Sequence, residues 1–265
     1  MQPVIFHIGS LELHAYTLCF LCAFVVTGWL AYREARRRGR LTEETLVVGS
    51  VGLVGAVLGA KLGMIMFLGP VEFWRLLPTI PAHGSTLVGG IIGGYAAVTI
   101  SERALHINRC TGDLLAPFMP LGQAIGRMGN FLAVDAYGIP SSLPWAVYQA
   151  GTYRHPVQLY EAGLDLALFA FLLRRRQVSF RDGELFQIYI IGYSIIRFPL
   201  EFLRYQPTPV LFLGLTLVQW MCIGAILWFG YQFYAQRRRF KVVALRPELM
   251  PVSFSHEEGS ENLQV

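Results

Sequence analysis

The chain has 265 residues, of which 54% are apolar and only 15% charged, and its mean hydropathy is +0.47. That is too oily for one or two soluble domains, so the composition reads as an integral membrane protein. The net charge of +5 calls for no nucleic acid, because arginines gathered in cytoplasmic loops produce it in an inner-membrane protein.

Seven stretches are long enough, or nearly so, to cross about 30 Å of hydrocarbon as helices. They cover 12–32, 46–68, 86–104, 113–132, 158–173, 185–203 and 209–235. Polar residues interrupt the fourth, and the fifth is short. The expected fold is an all-α integral membrane protein of about seven transmembrane helices. It forms one membrane domain over 1–241, followed by a polar, disordered tail over 242–265. The first stretch reads as a retained anchor, since its basic cluster (Arg33, Arg36, Arg37, Arg38 and Arg40) follows the apolar run rather than preceding it.

Charge alternates along the loops. The connections after the first, third, fifth and seventh stretches carry 16 of the 22 Lys and Arg, whereas the opposite loops carry only Arg75, Arg154 and Arg204. By the positive-inside rule the N-terminus is extracytoplasmic and the C-terminus cytoplasmic. The tail belongs on the cytoplasmic side.

Within the second stretch Gly49, Gly52, Gly55, Gly59 and Gly63 recur three or four apart, which puts them on one face and invites close approach of another helix. In the third, the doublets Gly89-Gly90 and Gly93-Gly94 fit the same packing, and also permit a bend or break that would expose backbone N–H groups to a phosphate. The four cysteines give no disulfide pattern, and Cys19-x-x-Cys22 lies inside an apolar run, where it reads as packing. No inverted repeat is evident, which weighs against a secondary transporter.

Three basic residues, Lys61, Arg127 and Arg197, fall inside apolar stretches, at a cost of about 2.5–3.5 kcal/mol each near the bilayer centre. With the orientation above, all three lie in outer halves of their spans, as do His14, Tyr16, His155, Gln158, Glu161 and Asp165. Tyr193, Arg197, Glu201 and Arg204 share one helical face. An Arg197–Glu201 ion pair that merely lowers the cost of burial would explain those two residues alone. Together with Arg127 and Lys61, however, the positive charge exceeds what one glutamate neutralises, and an anionic ligand is the better account. At this depth the simplest anion is a phospholipid headgroup, because the guanidinium fork matches phosphate oxygens. Asn130, three residues after Arg127, shares its face and is placed for an ester or glycerol oxygen. The loop 136–161 carries turns at Gly138-Ile139-Pro140 and Leu143-Pro144-Trp145 and interfacial aromatics Tyr137, Trp145, Tyr148 and Tyr153. His155 precedes Pro156 there, beside Gln158 and Glu161, in a position open to either a structural or a catalytic role.

These motifs resemble one family. GRMGNF at 126–131 with Asp135 and Gly138, RHPVQLYE at 154–161, IGYSIIRFPLEFLR at 191–204, and PVIFHIG and LHAYTL near the N-terminus resemble the prolipoprotein diacylglyceryl transferases, in order from residue 3 to about 235. The resemblance implies seven membrane helices in the bacterial cytoplasmic membrane and an active site toward the extracytoplasmic side. It implies transfer of a diacylglyceryl group from phosphatidylglycerol to the lipobox cysteine thiol of a preprolipoprotein, with release of glycerol phosphate and no metal or other cofactor. By matching position, Arg127 is implied to bind phosphatidylglycerol and Arg197 with Glu201 to be the essential pair. Tyr16, Asn130, Tyr193 and Gly138 match further functional positions, and His155 matches the histidine of the HP-x-QLYE segment. Asp135 and Lys61 join the substrate-binding set.

The chain departs from the family at three places. Val88 stands where a histidine usually precedes the Gly-Gly of the third helix, with His83 five residues out of register. Ala133, Val134 and Asp135 replace Asn-Gly-Glu, and Lys61 replaces a common arginine. Three functions remain open on the sequence: the transferase, with His155, Glu201 or solvent deprotonating the thiol; a divergent member with a phospholipid donor and another acceptor; and a non-catalytic lipid-binding membrane protein.

Overall fold

A computed structural model describes residues 4–8, 11–67, 86–107, 109–178, 181–205 and 210–245. His83 and Arg75 lie outside the described residues, as does 246–265 of the expected tail. Among the described residues the chain forms eight α-helices and two short antiparallel β-hairpins, in the order β1 (Val4–Ile8), β2 (Leu11–His14), α1 (Ala15–Arg37), α2 (Glu43–Phe67), α3 (Leu87–Ala104), α4 (Gly112–Leu115), α5 (Met119–Leu132), β3 (Val147–Gln149), β4 (Thr152–Arg154), α6 (Val157–Arg175), α7 (Glu184–Leu200) and α8 (Leu217–Leu245). A 3-10 turn, Glu201–Leu203, continues α7.

The helical reading holds and the all-α reading is corrected by the hairpins. In β3–β4 the sequence VYQ-AG-TYR pairs Val147 with Arg154 and Gln149 with Thr152. Ala150 and Gly151 close it at φ +48° and +84°, the left-handed pair that a two-residue hairpin needs. The signal was two β-branched or aromatic tripeptides around a Gly-containing dipeptide.

Among the described residues three helices, Ala15–Arg37, Glu43–Gly63 and Glu184–Leu203, are long and apolar enough to cross a membrane by length and composition. The expected fourth stretch is not one helix. It breaks at 116–118, around Pro117, into the single turn α4 and the 14-residue α5, which has Pro120 in its first turn. At 1.5 Å per residue α5 is roughly 21 Å long, short of the hydrocarbon thickness. The last helix begins at Leu217, later than expected, because Thr216 caps it. The Thr216 Oγ1 accepts from the Gln219 N–H at 3.3 Å, and Gln219 Oε1 accepts from the Thr216 N–H at 2.9 Å. That reciprocal capping box is legible in Thr-Leu-Val-Gln.

The glycines of α2 and α3 do pack these helices together. A Cβ at Gly59 would lie 2.4 Å from the Gly89 carbonyl oxygen, and one at Gly55 2.8 Å from that of Gly93, so the backbones touch where a side chain would otherwise separate them. Gly49 meets nothing within 4 Å. The alternative of a break in α3 is corrected, for α3 runs unbroken from Leu87 to Ala104. Elsewhere α1 packs on α5, α5 on α6, α6 on α7 and α7 on α8. Ala116, Leu172, Leu185, Tyr189, Ile190 and Tyr193 form the core between them. Large apolar side chains such as Leu21, Val25, Val54, Leu58, Leu227 and Trp228 face outward, as a lipid-facing surface requires.

Candidate active site

The three helices α5, α6 and α7 bring charge into the interior from separate parts of the chain. Glu161, in the first turns of α6, is 2% exposed. Arg127 of α5 donates from Nη2 to Glu161 Oε1 at 2.8 Å, and the Tyr193 hydroxyl of α7 donates to the same oxygen at 3.3 Å. Arg197, one turn beyond Tyr193, has Nη1 3.8 Å from Glu161 Oε2. Its Nη2 donates to Glu201 Oε2 at 2.6 Å. Arg204 Nη1 lies 3.8 Å from that same Glu201 oxygen, and the Thr216 hydroxyl donates to Glu201 Oε1 at 3.5 Å.

The face Tyr193–Arg197–Glu201–Arg204 is thus assembled as its spacing implied. The count of carboxylates is corrected: two buried glutamates, not one, meet the arginines. Even so, three guanidinium groups face them. Two donors stay unclaimed, for Arg197 Nη1 and Arg204 Nε have no hydrogen-bond partner among the described residues. Burial first, then the charges of Arg197 and Arg127, pull the Arg204 guanidinium below its ordinary value. An anion placed among these arginines relieves that crowding and engages the open N–H groups.

A second set of residues forms the rim. Asn130 Nδ2 donates to Asp135 Oδ2 at 3.3 Å, and Gln158, buried on α6, donates to the Asp135 carbonyl at 2.8 Å and to Gln149 Oε1 at 3.3 Å. Between Asn130 and Gly138 the chain turns through Val134 and Ala136 at φ +53° and +55°. A β-branched residue in that region is strained, by roughly 1–2 kcal/mol. Gly138 is buried because the backbone behind it leaves no room: a Cβ would lie 2.4 Å from the His155 carbonyl oxygen. Its bridge to Arg204 and the Tyr205 N–H bond to the Tyr137 carbonyl at 3.0 Å join this rim to the end of α7. Arg154 is the staple. Its guanidinium lies 4.6 Å and 4.5 Å from the ring centres of Tyr137 and Tyr205, and donates to the carbonyls of Gln149 and Gly138 at 3.1 and 3.2 Å.

Tyr16, at the start of α1, packs against α5 where Gly129 has no side chain, its ring 3.5 Å from the position of an added Cβ. His155 is half-buried in the rim, its Nδ1 3.5 Å from the Tyr160 hydroxyl, which accepts from Trp145 Nε1 at 2.7 Å. Lys61 lies on α2, which packs on α3. Among the described residues no group of three or more His, Cys, Asp or Glu is placed to hold a metal ion. Sequence reading omitted Glu161, Arg204 and Arg154 from the candidate site. Glu161 did carry a signal, a carboxylate in the first turns of an apolar stretch whose opposite charges lay on other helices.

Comparison with known proteins agrees with the motifs. The sequence profile of the family described as prolipoprotein diacylglyceryl transferase matches residues 3–234. A protein of Bordetella avium named phosphatidylglycerol–prolipoprotein diacylglyceryl transferase is 36% identical over 244 residues, covering 85% of this chain and 91% of its own length. Proteins of the same name from Pasteurella multocida and Thermotoga maritima are 34% and 31% identical. They cover 85% and 77% of this chain and 86% and 75% of their own.

Proposed function

Because the chain belongs to the prolipoprotein diacylglyceryl transferase family, we propose that it moves the diacylglyceryl group of phosphatidylglycerol onto the cysteine thiol of a prolipoprotein. The observation that carries this reading is the buried arginine cluster, with its unclaimed N–H groups at Arg197 and Arg204. The thiolate attacks the glyceryl carbon that bears the phosphate, a C–S bond forms, and the C–O bond breaks with its electron pair going to the phosphate oxygen. Glycerol phosphate leaves. Arg127 and Arg197 hold the phosphate and stabilise the charge that grows on it. Glu161 and Glu201 fix the two guanidinium planes, and Tyr193 fixes Glu161.

Asn130, Asp135 and Tyr16 line the approach for the glycerol portion, and Gly138 lets the rim close over it. His155, or else Glu201 or solvent, accepts the thiol proton, and Lys61 adds positive charge from α2. The helices cross the bacterial cytoplasmic membrane about seven times, with the N-terminus outside, the C-terminus in the cytoplasm and the site toward the exterior. The loop charges support that orientation. A different acceptor is the second reading, favoured by the strained turn at Val134 beside the site.

Expression in cells depleted of their own transferase tests both. Restored thioether lipidation, lost in Arg127→Ala, is expected. No restoration by the intact chain would reject the prolipoprotein acceptor.

A further inference from the structure

At the Glu184 end of α7, away from Arg197, a cavity of about 320 Å³ opens between α3, α7 and α8. That volume is near the lower limit for a small-ligand site. No residue of the Arg127–Glu201 cluster lines it, and Gln187 on its wall lies ten residues before Arg197, roughly 15 Å along the helix axis. The wall is aromatic. Tyr95 of α3 stacks on Phe186 of α7 with ring centres 5.5 Å apart, and Phe229 of α8 meets the two edge-on at 5.7 and 5.9 Å.

Two carboxylates share this wall. Glu102 and Asp182 each accept one backbone N–H, from Thr111 and Cys110, and neither has an ion-pair partner among the described residues. Gln187, 4% exposed, adds a carbonyl oxygen with no hydrogen-bond donor among the described residues. A buried acceptor left open in this way is costly, and a ligand N–H reaching it from the cavity removes the cost. The unsatisfied groups here are acceptors, and the rings present negative faces. Their complement is a cation that carries N–H donors. A metal ion is a poor match, since no group of three or more His, Cys, Asp or Glu is placed to hold one among the described residues. The exposed Arg109 guanidinium also lines the cavity and suits a phosphate.

We propose that this cavity binds an aminophospholipid headgroup. The primary ammonium lies against the three rings and meets Glu102, Asp182 and the Gln187 carbonyl, and the phosphate lies on Arg109. Lipid held there ties α3, which packs on α2, to α7 and α8 at the end remote from the arginine cluster.

Zero-length coupling by a carbodiimide reads this contact, because it joins an amine to a carboxylate only where the two touch. The full chain in phosphatidylethanolamine nanodiscs is treated and its peptides are analysed by mass spectrometry. A lipid adduct on Glu102 or Asp182 is expected, about tenfold above that on the exposed Glu43 and Glu44. Tyr95→Leu keeps an apolar side chain and should lower the adduct about fivefold. Arg127→Ala should leave it unchanged, so the outcome does not depend on the donor reading. No adduct at Glu102 or Asp182, or one no greater than at Glu43 and Glu44, overturns the proposal. In a second arm, phosphatidylglycerol nanodiscs receive soluble ethanolamine instead. A selective adduct there, with none from the lipid, would overturn the headgroup as the source of the ammonium.

Discussion

Helix α6 carries an arginine network at each end, and the two are built differently. Near its C-terminus, Arg176 Nη1 donates to Glu34 of α1 at 2.9 Å, and the same glutamate receives Arg37 Nη2 and Arg38 Nε at 2.7 Å each. The arginines there are partly solvated, Arg37 with 55% of its side chain exposed, and one buried glutamate collects them all. Near its N-terminus, roughly 22 Å away along the helix axis, Arg127 and Arg197 are 13% and 5% exposed. There three arginines, Arg204 among them at 22% exposure, share two glutamates. The first arrangement is a clamp that ties α1 to α6. The second is drier at Arg127 and Arg197 and is the one proposed to take an anion.

The sharpest way to break this contrast is to remove one arginine from each end. Arg197→Ala is expected to lower diacylglyceryl transfer by about 10²–10³-fold, as losing a donor to developing charge does. Single-turnover transfer to a lipobox peptide measures it. Arg176→Ala should leave that rate within a factor of about three. Next in size, Glu161→Gln removes the negative charge that Arg127 pairs with and that Tyr193 donates to. Breaking a buried pair of this kind costs about 3–5 kcal/mol, visible as a lowered unfolding midpoint in detergent. If Glu161→Gln were as stable as wild type, the buried ion pair would contribute nothing net to stability.

Arg154 sharpens the comparison from a third environment, because it is buried at 7% exposure and satisfied by two rings and two carbonyls with no carboxylate. Arg154→Lys keeps the charge and loses the planar stack, so a loss of about 2 kcal/mol is expected, with faster proteolysis of the 137–154 loop as the readout. Arg176→Ala should cost less than about 1 kcal/mol in the same unfolding measurement, since Glu34 keeps Arg37 and Arg38. Smallest is an effect at Cys110, between α3 and α4. Burial, then the negative charges of Asp113, Glu102 and Asp182, push its thiol up to about 12. Its alkylation is expected to be slow at pH 7 and to rise about tenfold per pH unit toward that value. Fast labelling at neutral pH would contradict this.

The parts of the site legible in the sequence were those set by spacing along one helix. Arg197 and Glu201 are four residues apart, and a basic residue in an apolar run identifies itself by cost, as Arg127 does. Glu161 was seen as polar but not as the hub, because its partners are 34 and 32 residues away and only the packing of α5 and α7 on α6 brings them in. Most helices were legible from apolar length. The break at Pro117 was missed because the flanking residues remain apolar, and the β3–β4 hairpin because Ala-Gly is a weaker turn signal than the prolines around it.

The proposed role of the Arg127–Glu161–Arg197–Glu201 cluster is to bind a phospholipid phosphate during transfer to a thiol. The most direct measurement is mass spectrometry on the purified full-length chain in phosphatidylglycerol nanodiscs with a lipobox peptide. Glycerol phosphate is quantified in the same reaction. A diacylglyceryl thioether on the cysteine and an equal amount of glycerol phosphate are expected, with both lost together in Arg127→Ala. Thioether formation undiminished in Arg127→Ala would contradict that role.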